Sequence, residues 1–308
     1  MEMSRRDMLR ASVGVGAAVW IRELPAWTQQ SSQRTRVIPS TGEAIPVVGL
    51  GSARTFEFGV TSSALLPLKE VLRLFHEMGG RLFDSSPSYR GAEEVAGALA
   101  QELGIHKDLF FATKISTGGD RQEGIRQQEG SKRAWGRDTI DLNQVHNLRG
   151  TATHLQTIRQ AKEEGWTRYV GITTSGSRQF DEMARLMRSE PIDFVQLNYS
   201  LAERQAADRL LPLAQDLGIA VVVNEPFNIG RLFSAVRGHK LPRWAAEFDC
   251  ESWGQFFLKY LIGHPVITAV VPATSDPEHL VDNMGAGLGR LPDERTRKRM
   301  EDFFDGLD

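Results

Sequence analysis

Residues 68–84 read LKEVLRLFHEMGGRLFD. Leu68, Val71, Leu72, Phe75 and Met78 recur at helical spacing, Gly79-Gly80 stops the helix, and Leu82-Phe83 is a short apolar run that ends in Asp84. The same order of helix, glycine and strand recurs along the chain. Glu93 to Leu103 stops at Gly104 before Leu109–Thr113; His154 to Glu164 stops at Gly165 before Tyr169–Ile172; Leu210 to Leu217 stops at Gly218 before Ile219–Val223. Val47–Leu50, Leu82–Ser85, Ile140–Val145, Phe194–Leu197 and Ile267–Val271 complete eight strand candidates. Most lie about 25 to 35 residues apart, the length of one strand–helix unit. Eight such units with right-handed crossovers predict an α/β fold, a (β/α)8 TIM barrel.

Outside the repeat, Arg36 to Ile45 brackets the turn Thr41-Gly42-Glu43 and predicts an N-terminal β-hairpin. The interval between Val223 and Ile267 is long, about 45 residues, and carries Phe233, Trp244, Phe248 and Trp253. Two readings fit it equally: a lid or substrate wall, or an extra surface helix with packed aromatics.

The chain has 308 residues, 41% hydrophobic and 25% charged, with a net charge of −2. That is enough for a sizeable core. No basic stripe with interleaved aromatics is present, which argues against a nucleic-acid partner. The single cysteine, Cys250, has no internal disulfide partner, and no HExxH or clustered His/Cys set points to a metal. The first 34 residues read differently. Arg5-Arg6 precede a mildly apolar run from Ala11 to Ile21, too short to span a bilayer as a helix of about 20 residues. The pattern resembles a twin-arginine signal peptide followed by a polar linker. The expectation is a signal and linker over 1–34, a barrel over 35–308, no membrane span, and recognition of the precursor by the twin-arginine export machinery, giving a periplasmic or otherwise exported protein.

Strand ends on one rim of such a barrel converge on the active site. That rim collects Gly51, Ser52, Asp84, Lys114, His146, Thr173, Gln196, Asn198, Asn224 and Thr274, with Tyr89 a short step after Asp84. A free tyrosine has a pKa of about 10. A lysine beside it favours the phenolate, and a carboxylate would hold that lysine charged. Tyrosine, lysine, carboxylate and histidine together can handle a proton. No pair of facing carboxylates or rim nucleophile supports hydrolysis instead.

Several ordered strings carry a family resemblance. GGRLFDSSPSYRGAEEVAG (79–97), LFFATK (109–114), IDLNQVHNL (140–148), the stretch 154–173, FVQLNYS (194–200) and VVPATSDPEHLVDNM (270–284) resemble the aldo-keto reductases. The resemblance runs from about Arg36 to Ala286. It implies that Asp84, Tyr89, Lys114 and His146 form a catalytic tetrad, with Tyr89 as acid and His146 orienting the carbonyl of a small-molecule substrate. It implies a nicotinamide cofactor across the barrel mouth, NADP(H) ahead of NAD(H). Thr173, Thr174 and Gln196, with Asp84, Asn224 and Pro226, would lie at its nicotinamide end, Gly51 and Ser52 against its backbone, and Thr274, Ser275, His279, Asp282 and Asn283 at its adenosine end. Pro277-Glu278 would open a helix with free amides for phosphate. The chain departs from the family pattern at Asn224, where an aromatic is usual, at Ala273 and His279, where lysine and arginine are frequent, and at Arg90, a cation that could favour anionic substrates. The activity implied is NAD(P)H-dependent reduction of an aldehyde, ketone or sugar carbonyl. The alternative is a cofactor-sensing binding subunit with slow or no turnover.

Overall fold

Two alternating sets of side chains build this fold, one pointing into a ring of strands and one out toward a ring of helices. The computed structural model describes residues 33–57 and 65–307. An antiparallel hairpin, β1 (Thr35–Val37) and β2 (Ala44–Pro46), comes first, with Arg36 opposite Ile45. Then follow β3 (Leu50–Gly51), α1 (Leu65–Glu77), β4 (Leu82–Asp84), α2 (Ala92–Glu102), β5 (Phe110–Ile115), α3 (Arg121–Trp135), β6 (Ile140–Val145), α4 (Thr151–Glu163), β7 (Thr167–Thr173) and α5 (Phe180–Ser189). The second half continues with β8 (Phe194–Asn198), α6 (Gln205–Leu217), β9 (Ala220–Asn224), α7 (Arg231–Ala235), α8 (Trp253–Ile262), β10 (Ile267–Val270), α9 (Pro277–Gly285) and α10 (Glu294–Asp305).

β3 to β10 pair in parallel, in chain order. The ring closes between its first and last strands through the Gly49 N–H to the Val270 carbonyl (2.8 Å), the Val270 N–H to the Val47 carbonyl (2.9 Å) and the Gly51 N–H to the Pro272 carbonyl (2.9 Å). The predicted (β/α)8 barrel with its N-terminal hairpin is the observed architecture. Leu82, Phe110, Ala112, Leu142, Tyr169, Phe194, Ala220, Val222, Ala269 and Val271 form the inner core, which the hairpin's Ile38 and Ile45 join. Strand residues of the opposite parity, such as Phe83, Phe111, Val170, Val195 and Val221, pack outward against the helices. Arg36 pins the hairpin by donating to the carbonyls of His264 (2.7 Å), Ile262 and Ile267.

The glycine stops act as expected: Gly104 and Gly165 adopt φ of 71° and 81° just past α2 and α4. Gln33 and Arg34, counted as linker by the sequence reading, are bonded to the barrel. Gln33 Nε2 donates to the Met284 carbonyl at 2.8 Å and the Arg34 N–H to the Gly287 carbonyl at 3.2 Å. The signal-peptide expectation over residues 1–32 lies outside the described residues. Among those described, no helix is long and apolar enough to cross a membrane.

The long interval resolves into both of its readings at once. Trp244, Phe248 and Trp253 pack with Phe256 and Phe303 in the outer layer around α8. Phe233 instead joins Phe227, at a ring-centroid distance of 4.9 Å, on the wall of the barrel-mouth cavity. Cys250 is buried in the outer core, and burial pushes its thiol up to about 12.

Helices α2 and α3 meet closely at Gly97. A Cβ on Gly97 would stand 2.0 Å from the Ala134 carbonyl oxygen, a backbone atom that cannot swing aside. Gly97→Ala is therefore expected to destabilise the fold by about 1–3 kcal/mol, as overpacking does. Urea unfolding of both proteins measures it, and an unchanged midpoint would refute the close contact.

Candidate active site

Inward parity carries the site. Asp84 follows Leu82, Lys114 follows Phe110 and Ala112, Gln196 follows Phe194, and Asn224 follows Ala220 and Val222, each two residues further along its strand. Thr173 ends β7 in the same parity as Tyr169, and His146 directly follows β6. A strand reverses face at every residue, so these groups leave the apolar inner core and enter one polar rim.

At the centre is a buried ion pair. Lys114 Nζ donates to Asp84 Oδ1 (2.9 Å), to Asp84 Oδ2 (2.8 Å) and to the Ser85 carbonyl (2.7 Å). Gln196 Nε2 adds a further donor to Asp84 Oδ1 at 2.8 Å. Ser52 locks the loop, its hydroxyl donating to the Asp84 carbonyl at 3.0 Å. Burial pulls the Lys114 pKa down, but Asp84, Tyr89 and Glu93 together hold it above the ordinary lysine value.

Tyr89 sits over this pair. Lys114 Nζ is 5.3 Å from its ring centroid, and its ring meets that of His146 edge-on at 5.8 Å. The sequence reading expected lysine to lower the tyrosine pKa. Lys114 does pull it down, but burial is the larger influence, and the net shift is upward. The phenol is therefore protonated at neutral pH, poised to give a proton rather than to take one.

His146 is held by a chain of hydroxyls that the sequence reading did not single out. Ser116 Oγ lies 2.7 Å from His146 Nδ1, Ser86 Oγ lies 2.6 Å from Ser116 Oγ, and Ser88 Oγ lies 2.9 Å from Ser86 Oγ. Were Ser116 to donate to Nδ1, the imidazole proton would sit on Nε2. Burial first, then the charges of Lys114 and Arg149, depress the His146 pKa to about 3. A serine two residues past Lys114 was the available signal.

Asp84, Tyr89 and His146 share one cavity of about 680 Å³ at the barrel mouth, while Lys114 is buried against Asp84 and does not line it. It is lined by Gly51, Ser52, Asp84, Tyr89, His146, Thr173, Gln196, Asn224 and Pro226 from the expected set. Phe227, Ile229 and Phe233, from the long interval expected to supply a lid or wall, line it too, as do Arg54, Glu57, Arg149, Ser175 and Glu225, which were not foreseen as wall residues. Glu225 is half-buried, and burial, then Glu203, raises its carboxyl pKa. Gly51 also has a structural reason: a Cβ there would meet the Val271 carbonyl oxygen at 2.8 Å.

The other expected cofactor residues stand apart from that cavity. Thr174 is buried and donates to Gln179 Oε1 at 2.8 Å. Asp282 accepts from Ser252 (2.6 Å) and Gln255 (2.9 Å) on the neighbouring α8 segment. Thr274 accepts from the Asp276 N–H at 3.0 Å, and Ser275 and His279 are exposed while Asn283 is buried in α9. The first amides of α9 are not free: Asp276 Oδ1 accepts from the N–H groups of Glu278 (2.8 Å) and His279 (3.4 Å). Arg90 is exposed and does not line the cavity. Among the described residues no cluster of His, Cys, Asp or Glu is placed to hold a metal ion.

The family model described as "Aldo/keto reductase family" matches residues 48–299. The chain belongs to that family. The aldo-keto reductase str7 of Strobilurus tenacellus is 24% identical over 74% of this chain and 78% of its own length. The NADH-specific methylglyoxal reductase of Escherichia coli is 25% identical over 54% of this chain, and the match spans only 58% of that relative. Among solved structures, an aldo/keto reductase from Klebsiella pneumoniae in complex with NADP and acetate superposes with a TM-score of 0.74 at 21% identity, covering 89% of this chain and 96% of its own.

The serine chain makes a testable claim. His146 is expected to stay neutral at pH 5 with its proton on Nε2, where an ordinary histidine of pKa about 6.5 is mostly charged. Because the unfolded chain binds this proton near pH 6.5 and the folded chain only near 3, stability from His146 is present above pH 6.5 and lost as the pH falls toward 3. Imidazole 15N NMR reads both; a His146 signal titrating near 6.5 would contradict the burial argument.

Proposed function

We propose that the protein reduces a small carbonyl compound with NADP(H) as hydride source, and that Tyr89 is the proton donor. The single observation that carries this reading is the convergence of Tyr89, a neutral His146 and Asp84, the last paired with the buried Lys114, on one cavity wall. The cavity fits the nicotinamide end of such a cofactor. Asn224 donates through Nδ2 to the Thr174 carbonyl at 3.0 Å, which leaves its Oδ1 without a partner among the described residues. That orphaned acceptor suits a carboxamide N–H. A bound nicotinamide would supply the hydride.

The chain's own residues do the rest. His146 Nε2–H and the Tyr89 hydroxyl converge on a carbonyl oxygen and draw electron density onto it. As negative charge develops there, the Tyr89 proton transfers to it. Lys114, kept charged by Asp84, stabilises the phenolate left behind. Gln196 fixes Asp84 and so fixes the lysine.

NADP(H) is the reading because the Klebsiella structure holds NADP. The 2′-phosphate end contributes little to the preference: His279 is exposed and its Nδ1 stands 4.0 Å from the Asp276 carboxylate. Tyr89→Phe is expected to lower kcat for carbonyl reduction about 100-fold or more with either cofactor, the usual worth of a general acid. Turnover surviving within a few-fold would sink the role of Tyr89.

The export reading is likewise a proposal, resting on Arg5-Arg6 before the apolar run. Replacing both arginines by lysine should leave the precursor in the cytoplasm; unaltered export of that variant would refute it.

A further inference from the structure

The two sides of the cavity differ in charge balance. On the side built by the loops after β3 and β9, charges of both signs are interleaved. Arg54 and Glu57 lie together there, and Arg54 and Arg231 both act on the Glu225 carboxyl. The loop after β6 lies elsewhere on the rim, three strands from β3 in one direction and three from β9 in the other. It contributes His146, Asn147 and Arg149 to the wall.

Arg149 is the uncompensated charge. Its side chain lines the cavity and is exposed, and among the described residues it has no ion pair or side-chain hydrogen bond. Its backbone N–H donates to the His146 carbonyl at 3.1 Å, which ties it to the histidine. Its charge reaches the imidazole, since it helps depress the His146 pKa. The other cation acting on His146, Lys114, is already paired with Asp84. The wall around Tyr89 and His146 is otherwise made of Ser88, Ser116, Asn147 and Ser175, all polar. The apolar wall, Phe227, Ile229 and Phe233, comes from the β9 side. The end of the cavity where a carbonyl would react is therefore hydrophilic and carries one net positive charge.

We infer that the substrate is an oxo acid, an aldehyde or ketone bearing a carboxylate that Arg149 holds while the carbonyl oxygen lies between Tyr89 and His146. This rests on the reductase reading and deepens it. A guanidinium offers a planar fork of donors that matches a carboxylate with two parallel hydrogen bonds. One guanidinium also matches one carboxylate in charge, whereas a phosphate monoester would bring about −1.5 to −2 and leave an excess. Arg149 is exposed, so solvent screens the contact and the gain is moderate. Arg90, the cation that the sequence pointed to for this task, does not line the cavity; Arg149 does.

The test compares two aldehydes of equal size, 4-carboxybenzaldehyde and 4-formylbenzamide, with saturating NADPH. The wild-type protein is expected to favour the carboxylate in kcat/KM by about tenfold, the worth of one charge-assisted contact. Arg149→Gln should lower kcat/KM for the carboxylate about tenfold more than for the amide, and Arg149→Lys should keep part of the preference. Rising salt should erode the preference in the wild type. An absent preference, or one that persists in Arg149→Gln, overturns the inference. So does a variant that only raises the KM for NADPH, because the guanidinium would then serve the cofactor. Calorimetry of both aldehydes in the presence of NADP+ separates the two claims. Carboxylate-selective binding that is lost in Arg149→Gln, without turnover of either aldehyde, faults the reductase reading and keeps the anion site. Equal binding of both aldehydes removes the anion site.

Discussion

The Lys114–Asp84 pair is the interaction on which the rest of the site depends. An ammonium and a carboxylate with side chains 1% and 8% exposed are costly to bury, and they are tolerated only because each is fully engaged. The ammonium has three acceptors, and the carboxylate has the lysine and Gln196. Removing either partner would leave a buried charge alone, a loss of about 3–5 kcal/mol. The pair also ties β4, β5 and β8 together across the top of the barrel. The same contact that closes the polar layer therefore sets the charge beneath Tyr89.

Around that pair the tyrosine and the histidine are tuned in ways that suit donation of protons to a carbonyl oxygen. Burial keeps Tyr89 protonated, and burial with two neighbouring cations keeps His146 neutral. A neutral imidazole with its proton on Nε2 can donate a hydrogen bond without competing for the tyrosine's proton. The three serines chained to its Nδ1 lie on two loops, after β4 and after β5, and meet only in the folded barrel.

Where the sequence reading fell short, the reasons are physical. α3 was not foreseen because its buried stripe, Gly124, Gln128, Ser131 and Trp135, is nearly free of apolar residues. That stripe is tied inward by hydrogen bonds instead: Asn143 donates to Gln128 at 3.0 Å, and Ser131 to the buried Glu93 at 2.7 Å. Hydrophobic periodicity has no sight of a helix packed this way. The α9 amides were expected to be free for phosphate, but Asp276, a residue before Pro277, caps them. Capping by aspartate and anion binding use the same donors, and one dimension does not say which occupies them. Arg90 and Arg149 look alike in sequence, each a short step past a site residue. Only the loop paths put one outside the cavity and the other in its wall.

By itself the sequence determined the eightfold repeat, the hairpin, and the identity of the polar groups that end the strands. Period-two alternation and glycine stops are local properties, written residue by residue. The family followed from the same strings. Tertiary structure alone decided which groups share the cavity, that burial outweighs Lys114 at Tyr89, that serines hold His146, and that Arg149 is left unpaired at the mouth. Those outcomes depend on distance and burial between residues far apart in the chain, and these arise only when the strands close into a ring.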